Sequence, residues 1–276
     1  MDTVEHIKSS VIQHGPHNNR IYVMRLNTDD IHGLIATLDD MASDNGYGKI
    51  LAKIPAPAWT AFKSADYMKE AEVPGFFKGK IDGYFIAKYC SAGRQRVQNV
   101  EKLVRLIKQD REGSANNRHR TGVATGEVVS CQPSDAEEMS VIYRQIFQSY
   151  PFPIQEPTYL QRMMKEGILY HCIRIEGGIA AIAAAEIDLV SNNAEMTDFA
   201  TLPEWRGMGF AGMLLSHMEK KTRKLGIKTA YTIARASSRG MNSVFSNGGY
   251  NYAGLLRNNS HICGNIQNMA VWYKHL

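Results

Sequence analysis

In the second half of the chain, apolar positions follow a helical spacing just after a glycine-rich turn. Between residues 208 and 225, positions three or four apart carry side chains suited to a packed face: Met208, Ala211, Leu215, Met218, Thr222 and Leu225. The intervening positions carry several lysines and arginines, so the pattern predicts an amphipathic helix with one face on a sheet. Gly226 is typical of a residue that ends such a helix.

Patterns on either side of this helix predict the other elements. Ser134 and Glu137 suggest a capping box for a helix over residues 136–150, and a second helix is expected over 158–166. Gly177-Gly178 predicts a hairpin turn between two strands. Predicted strands cover residues 127–131, 168–175, 179–190, 194–202, 229–234, 250–256 and 268–273, with a short helix at 240–246. Three consecutive strands indicate an antiparallel meander, and the fold class is α+β with a mixed α/β sheet.

Composition places the chain among globular proteins. It has 276 residues, 44% of them hydrophobic, and no apolar stretch approaches the length of about 18 residues that a membrane span needs. The first residues lack the basic start and apolar run of a secretory signal, which makes a cytoplasmic location the expectation. The four cysteines are scattered singly, so neither a metal site nor a disulfide framework is predicted.

The net charge of +5 comes from one segment, which also contains a predicted domain boundary. Residues 94–120 hold eight lysines and arginines against three acidic residues. Val97, Val100, Val104 and Ile107 give this segment a helical apolar face, and the composition of residues 112–117 indicates a linker. We therefore expect an N-terminal α/β domain with a basic helix over 1–115, a linker over 116–126 and a second domain over 127–276. A solvated basic face is expected rather than a site for nucleic acid or lipid.

The turn at residues 206–211 is the strongest functional signal. Gly207 and Gly209 let the backbone approach a ligand, and the N-terminus of the following helix supplies N–H donors for phosphate oxygens. With Gly212 the same glycines also fit the dinucleotide motif G-x-G-x-x-G. Too few residues follow Gly212 for a dinucleotide fold, and the preceding strand is half polar. The pyrophosphate of coenzyme A is the better match.

The signature Arg/Gln-x-x-Gly-x-Gly/Ala is met by Arg206, Gly209 and Ala211, and with it the element order of residues 127–276 resembles the GCN5-related N-acetyltransferase (GNAT) superfamily. Segments 197–203, 231–236, 240–242 and 271–274 are most similar to the β-lysine N6-acetyltransferases. This resemblance implies a GNAT fold with splayed central strands. It also implies acetyl transfer from acetyl-CoA to the terminal amine of β-lysine, giving N6-acetyl-β-lysine, a compatible solute.

The same resemblance implies which residues hold the cofactor. The edge of the splayed strand would bind the pantetheine arm, the backbone N–H groups of the glycine turn would bind the pyrophosphate, and the short helix that follows would complete the site. The residues concerned are Phe199, Ala200, Thr201, Arg206, Gly207, Met208, Gly209, Phe210, Ala211, Asn242 and Phe245. A backbone N–H near Thr201 or Leu202 would hold the thioester carbonyl oxygen.

Catalysis requires a neutral amine, and a carboxylate is the usual base. Glu195 matches the strand glutamate that serves as base in part of the superfamily, although a structural role is an open alternative. In a regular strand Asp198 would point away from Glu195. Many members have a tyrosine as acid where this chain has Phe245, so either Tyr250 or another tyrosine, Tyr231 or Tyr252, donates the proton, or the thiolate leaves unaided.

Acceptor recognition asks for acidic side chains near the ammonium groups and for a cation or amides near the carboxylate. The candidates are Glu186, Asp188, Asp198 and Tyr231 on one side, and Arg235, Asn258 and Asn259 on the other. The partner is thus a small amine, with neither nucleic acid nor membrane, and a homodimer is an assembly that the sequence leaves open. The alternatives are a GNAT enzyme for another small amine or for a protein lysine or N-terminus, and more remotely a dinucleotide-dependent oxidoreductase.

The first half of the chain repeats part of the pattern of the second. A helix at 34–45, the turn Gly46-Tyr47-Gly48 and a strand at 49–54 follow the order seen from residue 214 to 234. Segments 62–67, 70–77 and 84–89 likewise echo the segments from 245 to 274. We expect residues 1 to about 93 to form a degenerate GNAT half without a coenzyme A site, covering the acceptor pocket. The alternative is chance similarity of helix–strand–strand units.

Overall fold

A computed structural model describes residues 2–97, 104, 107 and 126–276. Nearly all of the predicted linker at 116–126 lies outside these residues, as does most of the predicted basic helix. At its start the chain forms only the short helix α3, Ala92–Gln95, and is extended at Arg96. Val104 and Ile107 are helical, and Ile107 packs in an apolar core.

The first half of the chain contains six strands and two helices before α3. The strands are β1 (Thr3–Ile7), β2 (Ser10–Gly15), β3 (Arg20–Arg25), β4 (Lys49–Pro55), β5 (Met68–Phe77) and β6 (Ile81–Tyr89). The helices are α1 (Ile31–Asn45), between β3 and β4, and α2 (Trp59–Lys63), between β4 and β5. Asp30 caps α1 by accepting a hydrogen bond from the N–H of Gly33, and Gly46 ends it in the left-handed conformation.

The second half contains the remaining strands and helices. The strands are β7 (Val128–Ser130), β8 (Leu169–Ile175), β9 (Gly178–Asp188), β10 (Asn193–Thr201), β11 (Thr229–Arg235), β12 (Asn251–Ile262) and β13 (Asn265–His275). The helices are α4 (Ala136–Ile146), α5 (Pro157–Lys165), α6 (Phe210–Lys224) and α7 (Arg239–Asn247). These elements confirm the predicted order, including the antiparallel meander β8–β9–β10 and the end of α6 next to Gly226.

Three local predictions were wrong. The capping box before α4 joins Gln132 and Asp135, because a 3₁₀ turn at Pro133–Asp135 precedes the helix. The β8–β9 hairpin turns at Glu176-Gly177, both with positive φ. Helix α4 ends at Ile146, four residues before its predicted end, which leaves Tyr150 in a loop.

The thirteen strands of the described residues form one sheet in the order β1-β2-β3-β4-β6-β5-β12-β13-β11-β10-β9-β8-β7. The halves meet where β5 pairs antiparallel with β12, with Ala71 opposite Gly254. A Cβ at Gly254 would lie 2.2 Å from the carbonyl oxygen of Glu70, so this close approach of two backbones needs glycine. The two predicted domains therefore share a single sheet.

A buried ion pair lies beside this junction. Lys49 Nζ lies 2.7 Å from Glu70 Oε2, and both side chains are almost fully buried. Lys49 also donates to the carbonyl oxygen of Arg257 on β12, and the N–H of Arg257 donates to Glu70 Oε1. Two charged groups of the first half are thus hydrogen-bonded to the backbone of the second.

The two halves have the same strand topology. In the first half β2 pairs antiparallel with β3, β3 parallel with β4, β4 antiparallel with β6 and β6 antiparallel with β5. In the second half β9, β10, β11, β13 and β12 repeat these pairings in the same order. Helix α1 lies between β3 and β4 as α6 lies between β10 and β11.

Local geometry repeats as well. After α2 the rings of Phe62 and Tyr67 meet edge to face with centroids 5.1 Å apart, and after α7 those of Phe245 and Tyr250 do so at 5.3 Å. In each pair the tyrosine N–H donates to the phenylalanine carbonyl oxygen. One apolar core lies in each half, and a third cluster contains residues of both, including Phe76, Phe85, Tyr143, Tyr231 and Leu256.

Candidate active site

Strands β10 and β11 separate along their length. They pair in parallel only where Asn193, Ala194 and Glu195 face Thr229, Ala230 and Tyr231. Beyond Glu195 a channel of about 70 Å³ borders both strands. Its lining includes Thr197, Asp198, Phe199, Ile233, Ala234, Arg235 and Phe245. Backbone groups on the facing edges of the two strands are thereby freed to bind an extended ligand.

A bulge in β10 follows this separation. The register against β9 shifts between Thr197 and Ala200, and Asp198 has a φ of +55°. An extra residue in one strand reverses the alternation of side chains beyond it. Asp198 therefore lines the same cavity as Glu195 and Thr197. The expectation that Asp198 points away from Glu195 was wrong, because the strand is not regular.

The N-terminus of α6 opens onto a cleft of about 540 Å³. Gly207 and Gly209 both have a φ of +82°, and a Cβ at either position would meet no atom within 4 Å. Gly209 precedes the helix without any side-chain cap. The first N–H groups of a helix lack intrahelical acceptors, so those of α6 face the cleft unused and carry the positive end of the helix dipole. This arrangement fits a diphosphate.

Most of the predicted cofactor residues line this cleft: Phe199, Thr201, Arg206, Gly207, Gly209, Phe210 and Ala211. Phe245 lines the adjoining channel. Ala200 is buried, and the side chain of Met208 is exposed outside the lining. The N–H of Leu202 donates to the carbonyl oxygen of Ala180 at 3.0 Å and is therefore not available for a thioester carbonyl.

Two predictions are corrected by burial. Asn242 is 1% exposed, its amide donates to the carbonyl oxygens of Arg235, Ala236 and Ser238, and its Oδ1 accepts from Trp272. It fixes the loop after β11 and has no free group for a cofactor. Tyr250 is 2% exposed in the apolar core beside Phe245 and borders neither the cleft nor the channel.

The channel connects the cleft to a third cavity of about 230 Å³. Phe147, Phe199 and Arg235 border both cleft and channel, while Tyr150, Thr197 and Asp198 border both channel and cavity. The cavity is walled by both halves of the chain, with β3 and β4 on one side and β9 to β12 on the other. An extended molecule entering at α6 would thus reach a chamber that the first half helps to close.

Four carboxylates line this chamber, and three of them, Glu186, Glu195 and Asp198, have a raised pKa. Glu195 and Glu186 face each other across β10 and β9, and Asp198 lies in the bulge. Burial, with the Glu195 charge nearby, raises the pKa of Glu186 to about 8, and burial raises that of Asp198 to about 6. Burial also raises the pKa of Glu195, although Lys53 and the Tyr231 hydroxyl oppose the shift. A raised pKa brings a carboxylate closer to the range in which a general base works at neutral pH.

Lys53 and Tyr231 stabilise the charge of Glu195. Lys53 on β4 donates to the Tyr231 hydroxyl at 3.0 Å, and the Lys53 charge and this hydroxyl both act to lower the pKa of Glu195. Burial lowers the pKa of Lys53, while the charges of Glu195, Asp188 and Glu186 raise it. A side chain from the first half therefore takes part in the hydrogen-bond network of the candidate base, a contact that the sequence pattern did not reveal.

Tyr150 is a second residue that sequence reasoning missed. Its hydroxyl donates to Asp198 Oδ1 at 2.7 Å, and the side chain borders both the channel and the chamber. Burial and the Asp198 charge raise the pKa of Tyr150, which keeps the phenol protonated. Pro151 and Pro153 were the sequence signal that could have placed Tyr150 in a loop, because prolines commonly follow the end of a helix.

Among the predicted acceptor residues, Asp198 and Tyr231 line the chamber, as do Glu186, Asp188 and Asn259. Arg235 was predicted there too, but it lies at the cleft and channel. Strand β11 diverges from β10 before it reaches Arg235, which carries that side chain toward the cofactor side. Asn258 is engaged through its amide with the carbonyl oxygens of Arg94 and Arg96.

A diphosphate cleft that leads through a split strand pair to a chamber of titrating carboxylates defines a CoA-dependent N-acyltransferase. The chain belongs to the acetyltransferase (GNAT) family, whose model matches residues 136–248. It is accordingly an N-acetyltransferase that uses acetyl-CoA as co-substrate. No helix among the described residues is long and apolar enough to cross a membrane.

Comparisons with individual proteins agree with this family. The chain is 32% identical over 280 residues to a β-lysine N(6)-acetyltransferase of Methanococcus maripaludis, covering 99% of both chains. It is 29% identical to one of Methanosarcina mazei, over 88% of this chain and 97% of that protein. A solved structure of the ribosomal-protein-S18-alanine N-acetyltransferase of Escherichia coli aligns with a TM-score of 0.48 at 20% identity, over 55% of this chain and 94% of the other.

Proposed function

We propose that the enzyme transfers acetyl from acetyl-CoA to the terminal amine of β-lysine, giving N6-acetyl-β-lysine. The observation that carries this proposal is the chamber, where four carboxylates meet basic side chains of the first half at the end of the channel. An acceptor with two ammonium groups and one carboxylate matches such a lining. The full-length similarity to two β-lysine N(6)-acetyltransferases supports the same acceptor.

Glu195 is the proposed base. An amine with a pKa of about 10.4 is protonated at neutral pH and cannot attack a carbonyl carbon until it loses a proton. Two facing carboxylates cannot easily both ionise, so the Glu186–Glu195 pair retains a proton near neutral pH. Lys53 acts to lower the pKa of both carboxylates, but the Tyr231 hydroxyl acts on Glu195 alone, so we place the charge on Glu195 and the proton on Glu186. The ionised Glu195 then takes the proton of the bound ammonium group.

Acetyl-CoA supplies the acetyl group as an activated thioester. The chain aligns the amine, which forms the new C–N bond as the C–S bond breaks, and the sulfur leaves with the electron pair. The nitrogen then loses its second proton to water, which gives the neutral amide. Tyr150 is the proposed proton donor to that sulfur, because its protonated phenol stands where channel and chamber meet. We expect Tyr150→Phe to lower kcat and to leave the KM for acetyl-CoA close to that of the wild type.

An acceptor panel tests the proposal. Purified enzyme with acetyl-CoA is given β-lysine, α-lysine, spermidine or a lysine-containing peptide, and CoA release is followed. We expect β-lysine to give the highest kcat/KM, with mass spectrometry locating the acetyl group on N6. If CoA were released with the peptide and with none of the small amines, the acceptor would instead be a protein. The volume of the chamber and its closure by the first half favour a small acceptor.

Further properties belong to the same proposal. Acetylation removes one positive charge from β-lysine and leaves a zwitterion, which suits a compatible solute. The four cysteines are free thiols, consistent with the reducing environment of the cytoplasm. We also propose that residues 1–93 are a degenerate GNAT half, which the repeated strand topology supports. A homodimer stays a prediction, and light scattering on the purified enzyme tests it.

A further inference from the structure

The chamber has two walls built from equivalent strands. In the first half Tyr22 of β3 faces Gln13 of β2, and in the second half Glu195 of β10 faces Glu186 of β9. The residues before Tyr22 and Glu195 pair in parallel with Ile50 and Ala230, which lie at the same distance past the glycine that ends the preceding helix. Tyr22 therefore stands at the position of Glu195, and Gln13 at that of Glu186.

This correspondence makes the two walls chemically opposite. Where the second half lines the chamber with Glu186 and Glu195, the first half lines it with the phenol of Tyr22 and, two residues earlier, with Arg20, while Gln13 lies behind this lining. Arg20 borders the chamber and is only 3% exposed. Its guanidinium lies over the Tyr22 ring, 5.2 Å from the centroid. The first half thus presents a cation to the chamber through a wall without acidic side chains.

The charge of Arg20 has no partner. Its Nη1 donates to the carbonyl oxygen of Asn259 and to Ser260 Oγ, and its Nη2 makes one long contact of 3.4 Å with Gln13 Oε1. Nε has no hydrogen-bond partner, and in the described part of the chain no carboxylate forms an ion pair with Arg20. Buried cations are normally paired, because taking a charge out of water is costly.

Nε, which has no hydrogen-bond partner, and Nη2, which makes only the long Gln13 contact, form one edge of the guanidinium, and such an edge can bind a carboxylate with two parallel hydrogen bonds. From this geometry we propose that Arg20 is the specificity-determining residue that binds the carboxylate of the acceptor. This inference rests on the proposed function and adds an orientation to it. The acceptor carboxylate lies against the first half, and its terminal amine points across the chamber toward Glu195.

The other cations of the chamber are less suited to this role. Lys53 is engaged with the Tyr231 hydroxyl and the Glu195 network, so a second anion there would compete with the base. Arg25 is exposed, and a carboxylate bound to it would keep its contact with water. Arg20 combines burial, a free edge and the absence of an acidic neighbour on its own wall.

The test compares β-lysine with 1,4-diaminopentane, the diamine left when β-lysine loses its carboxylate. In Arg20→Gln we expect the KM for β-lysine to rise about 10- to 100-fold, the size of a lost charge-assisted hydrogen-bond pair. The KM for the diamine should change by less than about twofold, because that acceptor never used the guanidinium. Lysine keeps the charge but cannot form two parallel hydrogen bonds with a carboxylate. The KM of Arg20→Lys for β-lysine should therefore lie between those of the wild type and Arg20→Gln.

Arg94→Gln is the matched control. Arg94 is also a buried arginine with an unpartnered Nε and a contact to the Asn259 carbonyl oxygen, yet it does not border the chamber. Its replacement should leave the ratio of the two KM values at the wild-type level. A thermal shift with acetyl-CoA checks that each variant is folded and binds co-substrate.

The proposal would be overturned by equal rises of both KM values in Arg20→Gln, by a selective loss in Arg25→Gln instead, or by a wild-type enzyme that does not distinguish the two acceptors. The result for the wild-type enzyme applies even if Arg20→Gln does not fold. A wild-type enzyme that acetylates neither acceptor but does acetylate a peptide would refute the proposed function. Turnover of β-lysine with an unchanged KM in Arg20→Gln would refute only the carboxylate anchor.

Discussion

At the scale of single residues, the proposed chemistry requires two neighbouring glutamates, Glu186 and Glu195, to differ in protonation state. Glu186 and Glu195 are cross-strand partners, and burial raises the pKa of both. The Lys53 charge opposes that shift at both carboxylates, but the Tyr231 hydroxyl opposes it only at Glu195. The neighbouring groups therefore select which member of the pair serves as the base.

Glu195→Gln removes the proposed base. We expect kcat/KM for β-lysine at pH 7 to fall about 10²- to 10⁴-fold, the usual contribution of a positioned base. Raising the pH toward the amine pKa of about 10.4 should restore much of the rate, because the free amine then forms without help. Steady-state assays from pH 7 to 10 measure this. A pH-independent defect, or weaker acetyl-CoA binding, would contradict the assignment.

Glu186→Gln tests the raised pKa through stability. Glu186 retains its proton up to about pH 8 when folded but loses it near pH 4.5 when unfolded, so the folded state binds more protons between these values. Its contribution to stability therefore falls as the pH rises through that window. Glutamine cannot ionise, so we expect the variant to have a higher Tm than wild type at pH 9 and a similar Tm at pH 4.5.

The exposed Glu166 offers a control for the same loss of charge, since it makes only a long contact with Arg162. Differential scanning fluorimetry of Glu166→Gln should show the same offset from wild type at both pH values. A Glu186→Gln variant whose offset is also independent of pH would mean that this carboxyl ionises normally in the folded protein.

At the scale of elements, periodic patterns were sufficient for most helices and strands but not for their irregularities. The spacing of residues 208–225 predicted α6, and the glycines before it predicted a turn whose backbone a ligand can approach, which in the structure has positive φ at Gly207 and Gly209. The sequence did not predict the bulge at Asp198, because Thr197, Asp198 and Phe199 fit an ordinary alternating strand. A one-residue register shift depends on pairing with β9, which is a tertiary contact.

The sequence also gave no prediction of the pairing between β5 and β12. Sequence alone marks Gly254 as a weak point in a strand, whereas the structure shows a backbone packed against it. We expect Gly254→Ala to destabilise the protein by about 1–3 kcal/mol, the range for an overpacked contact that forces the backbone to shift. Denaturant unfolding followed by circular dichroism measures the change.

Gly93→Ala is the control, because a Cβ at Gly93 would meet nothing within 4 Å and the residue lies in helix α3. Alanine there should be neutral or slightly stabilising. Equal effects of the two substitutions would mean that the β5–β12 approach is looser than the structure indicates.

At the scale of the whole molecule, one sheet and one shared apolar cluster join the halves. The cluster that includes Phe76, Tyr143 and Tyr231 belongs to neither half alone. The ion pair of Lys49 and Glu70 is also satisfied by backbone groups of β12. Two units connected in this way are expected to unfold together, although the sequence pattern suggested separate domains.

Cooperative unfolding can be tested with acetyl-CoA. The co-substrate cleft lies in the second half, yet we expect one calorimetric transition whose Tm rises as a whole when acetyl-CoA is added. At a concentration of about 100 times Kd the added stability is about 2.7 kcal/mol. Hydrogen exchange at Ile50 and Leu51 should slow as well. Two transitions, with only the later one shifted, would show independent halves.

The opposed walls of the chamber have a consequence for how such an enzyme changes over time. In a two-fold dimer of identical chains, every substitution appears on both sides of the axis, so an acid gained on one wall is gained on the other. Here Gln13 and Tyr22 are encoded separately from Glu186 and Glu195. Positions such as Tyr22 can therefore change to suit another acceptor while Glu186 and Glu195 stay as they are. In a symmetric dimer the same substitution would alter both walls.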